Sequence, residues 1–159
     1  MASVRRQVEI TVRIGNEPAS LGKVMAVAGS CGVEILAANC YWDRAGAIMM
    51  LVADDARRAT RALGAGGFEC KSSRILLVEA LDRPGLTALL AEKLTAAGID
   101  VVYSYSFRSE RNLSYLVFKT TDDDRAMDLL EFEALIHEVG AAKRWRRPVE
   151  ADVEPCEAA

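Results

Sequence analysis

Asp82-Arg83-Pro84-Gly85-Leu86 closes an apolar run and opens a helical pattern that stops at Gly98; Asn16-Glu17-Pro18-Ala19-Ser20 does the same and stops at Gly32. The two stretches stand 66 residues apart. At that offset Pro18 meets Pro84, Gly32 meets Gly98, Val33-Glu34-Ile35 meets Ile99-Asp100-Val101 and Tyr41 meets Phe107, with no gap. Self-similarity at a fixed period outranks any local motif, because each copy must be one structural unit.

Working outward from the first copy, Val8, Ile10, Val12 and Ile14 alternate with Glu9, Thr11 and Arg13, the period of a half-buried strand. Leu21, Val24, Met25, Ala28 and Cys31 then recur at helical spacing, with Ser20 placed to cap the first turn and Gly32 to stop the last. Residues 33–42 and 47–53 read as strands joined by a turn at Asp43-Arg44-Ala45-Gly46. Asp54-Asp55 sits at the positive end of a short helix over 56–63, which Gly64-Ala65-Gly66-Gly67 breaks before a brief returning strand at 68–72. The order β-α-β-β-α-β is the split ferredoxin-like arrangement, with both helices on one face of an antiparallel sheet.

The second copy follows without a linker. Residues 74–81 form its first strand, Leu86, Leu89, Leu90, Leu94 and Ala97 its helix stripe, and 99–107 and 113–120 its next strands, before a helix capped by Asp122-Asp123-Asp124. The expected fold is therefore α+β: two tandem ferredoxin-like units at 7–73 and 74–140, then a tail at 141–159 for which partial disorder is expected. Beyond Leu130 the copy fails, and Glu131 to Val139 either continue the helix or return as a last strand. Ile75 and Leu77 stand where the first unit has Glu9 and Thr11, so this strand is apolar on both sides and its second face is expected to meet a partner.

Units this small bury about 60% of their unfolded surface, which favours a shared interface and a homodimer. The net charge of −3 argues for neither nucleic acid nor an acidic ligand. Cys31, Cys40, Cys70 and Cys156 show no metal-ligand spacing, so no metal or cofactor is expected. Cys31 and Cys40, on predicted apolar positions, read as buried reduced thiols, which points to the cytoplasm. No run approaches the ~18 apolar residues of a membrane span. His137 has no evident nucleophile partner, Asp122 to Asp124 read as helix caps, and no catalytic constellation emerges. Lys143-Arg144-Trp145-Arg146-Arg147 reads as a solvated terminal run.

From local chemistry the two loops read either as ordinary strand-to-helix turns or as sites suited to a free amino acid. First-turn N–H groups at a helix start can receive a carboxylate, Gly85 allows close backbone approach, and Asn16 or Asp82 offers an oxygen to an ammonium. Tyr103, Tyr105 and Phe107 share one strand face, to select a ligand side chain or to pack units together; Asn39 is the repeat equivalent of Tyr105. Asp82-Arg83-Pro84-Gly85-Leu86, the helix to Gly98 and Ile99-Asp100-Val101 resemble the signature of the ACT domain, a match that covers about residues 8–130, and Tyr103-Ser104-Tyr105-Ser106-Phe107 resembles the second unit of small stand-alone tandem ACT proteins without an enzyme domain. The resemblance implies a non-catalytic sensor that binds an amino acid between units and acts on a partner enzyme. The implied binding positions are Asn16, Pro18, Ala19, Ser20 and Leu21 in the first unit, and Asp82, Pro84, Gly85 and Leu86 in the second. Ala19-Ser20 departs from the Gly-Leu pattern of the second copy. A scaffold that binds no small molecule is the competing expectation.

Overall fold

The computed structural model describes residues 3–15, 20–43, 46–82, 84–108 and 113–139. In chain order the elements are β1 (Ser3–Ile14), α1 (Ser20–Ser30), β2 (Ile35–Asp43), β3 (Gly46–Ala53), α2 (Ala56–Ala65), β4 (Glu69–Leu81), α3 (Leu86–Ala96), β5 (Val101–Arg108), β6 (Leu113–Thr120) and α4 (Asp123–Val139). The strands form one antiparallel sheet in the order β2-β3-β1-β4-β6-β5.

The repeat is physical down to single hydrogen bonds. α1 and α3 each span 11 residues at an offset of 66. β2 and β5 carry a register shift at equivalent places, Ile35/Ala37 and Val101/Tyr103. Gly32 and Gly98 share φ values of 69° and 70°. After the β2–β3 hairpin the offset becomes 67. There Asp54 N–H donates to the Glu34 carbonyl as Thr121 N–H donates to that of Asp100, both at 3.0 Å. Asp55 caps α2 by accepting from the Arg58 N–H, and Asp122 accepts from that of Arg125.

The two units are joined through exchanged strand halves. The residues read as a short returning strand at 68–72 and those read as the next unit's first strand at 74–81 are one 13-residue strand, β4. It pairs with β1 from Ser3↔Glu79 to Arg13↔Glu69. The first half of β1 therefore lies beside the second unit's opening strand and supplies its fourth strand. Val4 belongs to that unit's core, with Leu76, Leu90 and Phe118. This explains why the copy fails after Leu130. The place of a final strand is already filled, so the segment left open between helix and strand continues α4 to Val139. Val8 and Arg74 are both Cα partners and repeat equivalents, so a pseudo-twofold axis passes between them.

All four helices cover one face of the sheet. Ile10, Val12, Val24, Leu51 and Leu63 form one core beneath α1 and α2, and the cluster around Val4 lies beneath α3 and α4. The opposite face departs from expectation. Ile75 and Leu77 are fully buried within the chain, because the sheet rolls until its edges β2 and β5 approach and encloses Leu36, Ala37, Val52 and Val117 with them. No second chain is needed to cover that face. Cys40 also differs: it is exposed on the open edge strand, while Cys31 and Cys70 are part-buried, and all three are free thiols. Among the described residues no helix is long and apolar enough to cross a membrane, and no group of His, Cys, Asp and Glu is placed to hold a metal. The basic run and acidic tail lie outside the described residues.

Sharing β1 and β4 couples the two cores. Val4→Ala, near the N-terminus, is expected to destabilise the whole protein by about 2 kcal/mol. Urea unfolding followed by tryptophan fluorescence and by circular dichroism should give coincident transitions, both shifted by the substitution.

Candidate functional site

The second loop leaves β4 at Leu81 and turns through Pro84 and Gly85 into α3. Gly85 has φ 85°, the left-handed region that side chains with a Cβ rarely occupy, and stands at the N-cap without a side-chain cap bond. Its carbonyl accepts from the Leu89 N–H at 2.9 Å. Among the described residues no side chain is shown capping the first-turn N–H groups, which stand at the positive end of the helix dipole. Leu86 points the other way, buried in the core.

Asp82 is held in place by two side chains. One carboxylate oxygen accepts from the Ser114 hydroxyl on β6, and the other pairs with the Arg108 guanidinium at the end of β5. The Asp82 side chain is 15% exposed and that of Arg108 69%. The loop thus joins a fixed carboxylate, a solvent-facing guanidinium and an uncapped helix start. Arg108 and Ser114 were not among the residues expected from sequence. No local pattern marks them, because strand pairing brings them to the loop.

The first loop is only partly in view. Asn16, Pro18 and Ala19 lie outside the described residues. Ser20 is the first residue of α1 and is buried, Leu21 is exposed, and Asn39 is half-buried on β2 opposite Met50.

Tyr103 and Tyr105 do share a face, and they converge on an unanticipated residue. Their hydroxyls donate to the two oxygens of Glu9, at 2.7 and 2.8 Å. Glu9 is fully buried on the helix-free face of β1. Strand alternation had marked it only as a wet-face residue; rolling of the sheet encloses it. Burial, the Glu9 hydrogen bond and the Glu9 charge together push the Tyr103 phenol up to about 12, against a smaller opposing effect of the Ser73 side chain. Tyr105 is also raised, first by burial and then by the Glu9 charge and hydrogen bond. At the repeat-equivalent positions the first unit offers Ala37 and Asn39 opposite Ile75, so only one side of the molecule carries this cluster.

Two outcomes test the cluster. Glu9→Ala should cost about 2–4 kcal/mol in urea unfolding, since it removes the acceptor of two part-buried hydroxyls and leaves a cavity. The raised phenol favours the neutral folded form, so its contribution is complete below the unfolded tyrosine pKa near 10 and is lost as pH rises toward about 12. Stability measured from pH 9 to 12 should fall across that window, and less steeply in Tyr103→Phe.

The comparisons with known proteins agree with this architecture. A family model described as an ACT domain pair matches residues 6–139. Protein BT0572 from Bacteroides thetaiotaomicron is similar in structure, with 22% identity over 83% of this chain and 90% of its own, at a TM-score of 0.68. The ligand-free regulatory subunit of aspartate kinase from Thermus thermophilus is similar at 13% identity, covering 84% of this chain and 95% of its own, with a TM-score of 0.58. The corresponding subunit from Thermus flavus gives 14% identity, coverage of 84% and 96%, and a TM-score of 0.57. No curated protein matches the chain. Structural likeness at such identities speaks to fold alone, but the family match spans most of the sequence: the chain belongs to the ACT domain family, as an ACT domain pair.

Proposed function

We propose that this chain is a non-catalytic regulatory protein, built of ACT units at 7–73 and 74–140, that binds a free amino acid at the loop between β4 and α3. The observation that carries the reading is that loop: uncapped N–H groups behind a left-handed Gly85, beside an Asp82 already oriented by Ser114 and Arg108. A ligand carboxylate docks on the first turn of α3, as anions do at helix starts. Its ammonium competes with Arg108 for Asp82, and the released guanidinium meets the carboxylate. The Thermus neighbours are regulatory subunits of aspartate kinase, which is consistent with this role for the fold. Regulation of a partner enzyme follows if the ligand binds one arrangement of the units better than another.

The first unit supports assembly with a second copy. Leu21, Met25 and Trp42 are exposed there, Trp42 at 66%, on or beside an edge strand with an unpaired backbone. Their repeat equivalents are Thr87, Ala91 and Arg108. Val102 and Phe107 are exposed on the other edge strand, β5, but Trp42 is the most exposed large apolar residue among those described; open apolar edges are normally covered, and this reading places the homodimer contact at the first unit. Trp42→Ser should raise the dimer dissociation constant at least tenfold in sedimentation equilibrium.

Thermal-shift screening of the twenty amino acids tests the ligand. A binder at ~100 times its dissociation constant adds about 2.7 kcal/mol. Asp82→Ala should cost only about 1 kcal/mol of stability, through the lost Ser114 and Arg108 contacts, yet abolish the response. The absence of any shift at millimolar concentration would favour the scaffold instead.

A further inference from the structure

A cavity lies on the opposite side of the sheet from the tyrosine cluster, at the pseudo-twofold axis. There the helix-bearing face is open beside α2, and the cavity, of about 600 Å³, is lined by Val8, Ala56, Arg57, Thr60, Arg61 and Ser72. Its size is that of a small-molecule pocket. Arg57 and Arg61 stand one helical turn apart, so their Cβ atoms are about 5–6 Å from each other. Arg74, the strand partner of Val8, lies in register on the same face as Leu76 and Val78.

Five described bases, Arg57, Arg58, Arg61, Lys71 and Arg74, hold no ion pair, and of these Arg57 and Arg61 line the cavity. Arg5 pairs with Glu79, Arg6 with Asp124, Arg108 with Asp82, Arg125 with Asp122 and Lys119 with Asp123. Arg13, Lys23 and Lys93 are engaged as well. The chain as a whole is nonetheless acidic, with a net charge of −3. Nor does the fold require cations here. In α4, the repeat equivalent of α2, the positions matching Arg57 and Arg61 carry Asp124 and Asp128. The cavity near α3 and α4, lined by Ala97, Ile99, Arg125, Asp128 and Leu129, differs: its arginine is spent on the Ala97 carbonyl and on Asp122.

We propose that the cavity beside α2 binds a small organic dianion, a phosphate ester or a dicarboxylate, whose charges are shared between Arg57 and Arg61 and whose carbon part rests on Val8 and Ala56. Guanidinium groups suit this task because each presents paired donors to two oxygens. The site is separate from the Asp82 loop and sits where β1 and β4 serve both units, so its occupancy acts on the pair together.

Thermal shift of the full chain with inorganic pyrophosphate and with succinate, each against sodium chloride at equal ionic strength, tests the proposal. At ~100 times the dissociation constant, one probe or both should raise Tm by about 5–10 °C over the salt control. A rise with pyrophosphate alone assigns a phosphate ligand; a rise with succinate alone assigns a dicarboxylate. Arg57→Gln with Arg61→Gln should abolish the rise at unchanged circular dichroism, since glutamine is nearly as good a helix former as arginine. Arg58→Gln, on the same helix but outside the cavity lining, and Asp82→Ala should both keep it. No rise with either probe, or an equal loss in Arg58→Gln, would overturn the assignment.

Discussion

The structure depends on one antiparallel pairing, that of β1 with β4 from Ser3↔Glu79 to Arg13↔Glu69. Each strand serves two units, one half in each. A ferredoxin-like unit of this size is marginal alone, and its edges invite foreign strands. By lending the first half of β1 to the second unit, and the first residues of β4 to the first, the chain closes both units with no additional strand. The sheet that results has only two edges, β2 and β5, where two separate four-stranded sheets would have four. The interface between the units is thus a backbone ladder, and it is far less able to come apart than a surface contact between packed domains.

Rolling that sheet creates the second constraint. Once β2 and β5 approach, whatever projects from the helix-free face of the central strands is enclosed. For Ile75 and Leu77 this is favourable burial. For Glu9 it would be costly without partners, because a buried carboxylate needs its lone pairs satisfied. Tyr103 and Tyr105 provide them from the far edge of the sheet, tying β5 to β1 across β4 and β6. The contact is specific in direction and number, which nonpolar packing is not, and it fixes how far the sheet rolls. A ligand that changes the relation between units must act against it or through it.

Much of the fold was legible because local signals repeat. Strand alternation around Ile10, the stripes from Leu21 and Leu86 and the stops at Gly32 and Gly98 are short-range properties, and a fixed offset lets each copy check the other. The caps at Asp55 and Asp122 were legible for the same reason. What sequence could not show is long-range. Nothing near Glu9 tells that residues 94 and 96 positions away will meet it, or that Arg108 and Ser114 will orient Asp82. Exchange of strand halves is equally silent, since an alternating strand reads the same whichever neighbour it pairs with. The expectation of a partner against Ile75 and Leu77 failed on this point: both faces were correctly read as apolar, but the cover came from the chain's own curvature.

The repeat also shows how polar and charged residues fall unequally on the two halves. Pseudo-symmetry makes a duplicated site available, but symmetric sites on one continuous sheet compete for the same roll of that sheet. Here the polar and charged residues have separated. The second unit has Gly85, Asp82, Arg108 and the tyrosines; the first has Ala19, Trp42, Ala37 and, on α2, the arginines whose counterparts in α4 are acids. Each difference changes the surface chemistry of one copy and leaves that of the other. The fold is preserved because the core positions, Ile10 with Leu76, Val24 with Leu90 and Ala28 with Leu94, stay apolar in both. A duplicated unit whose core is held constant is free to make its two surfaces different.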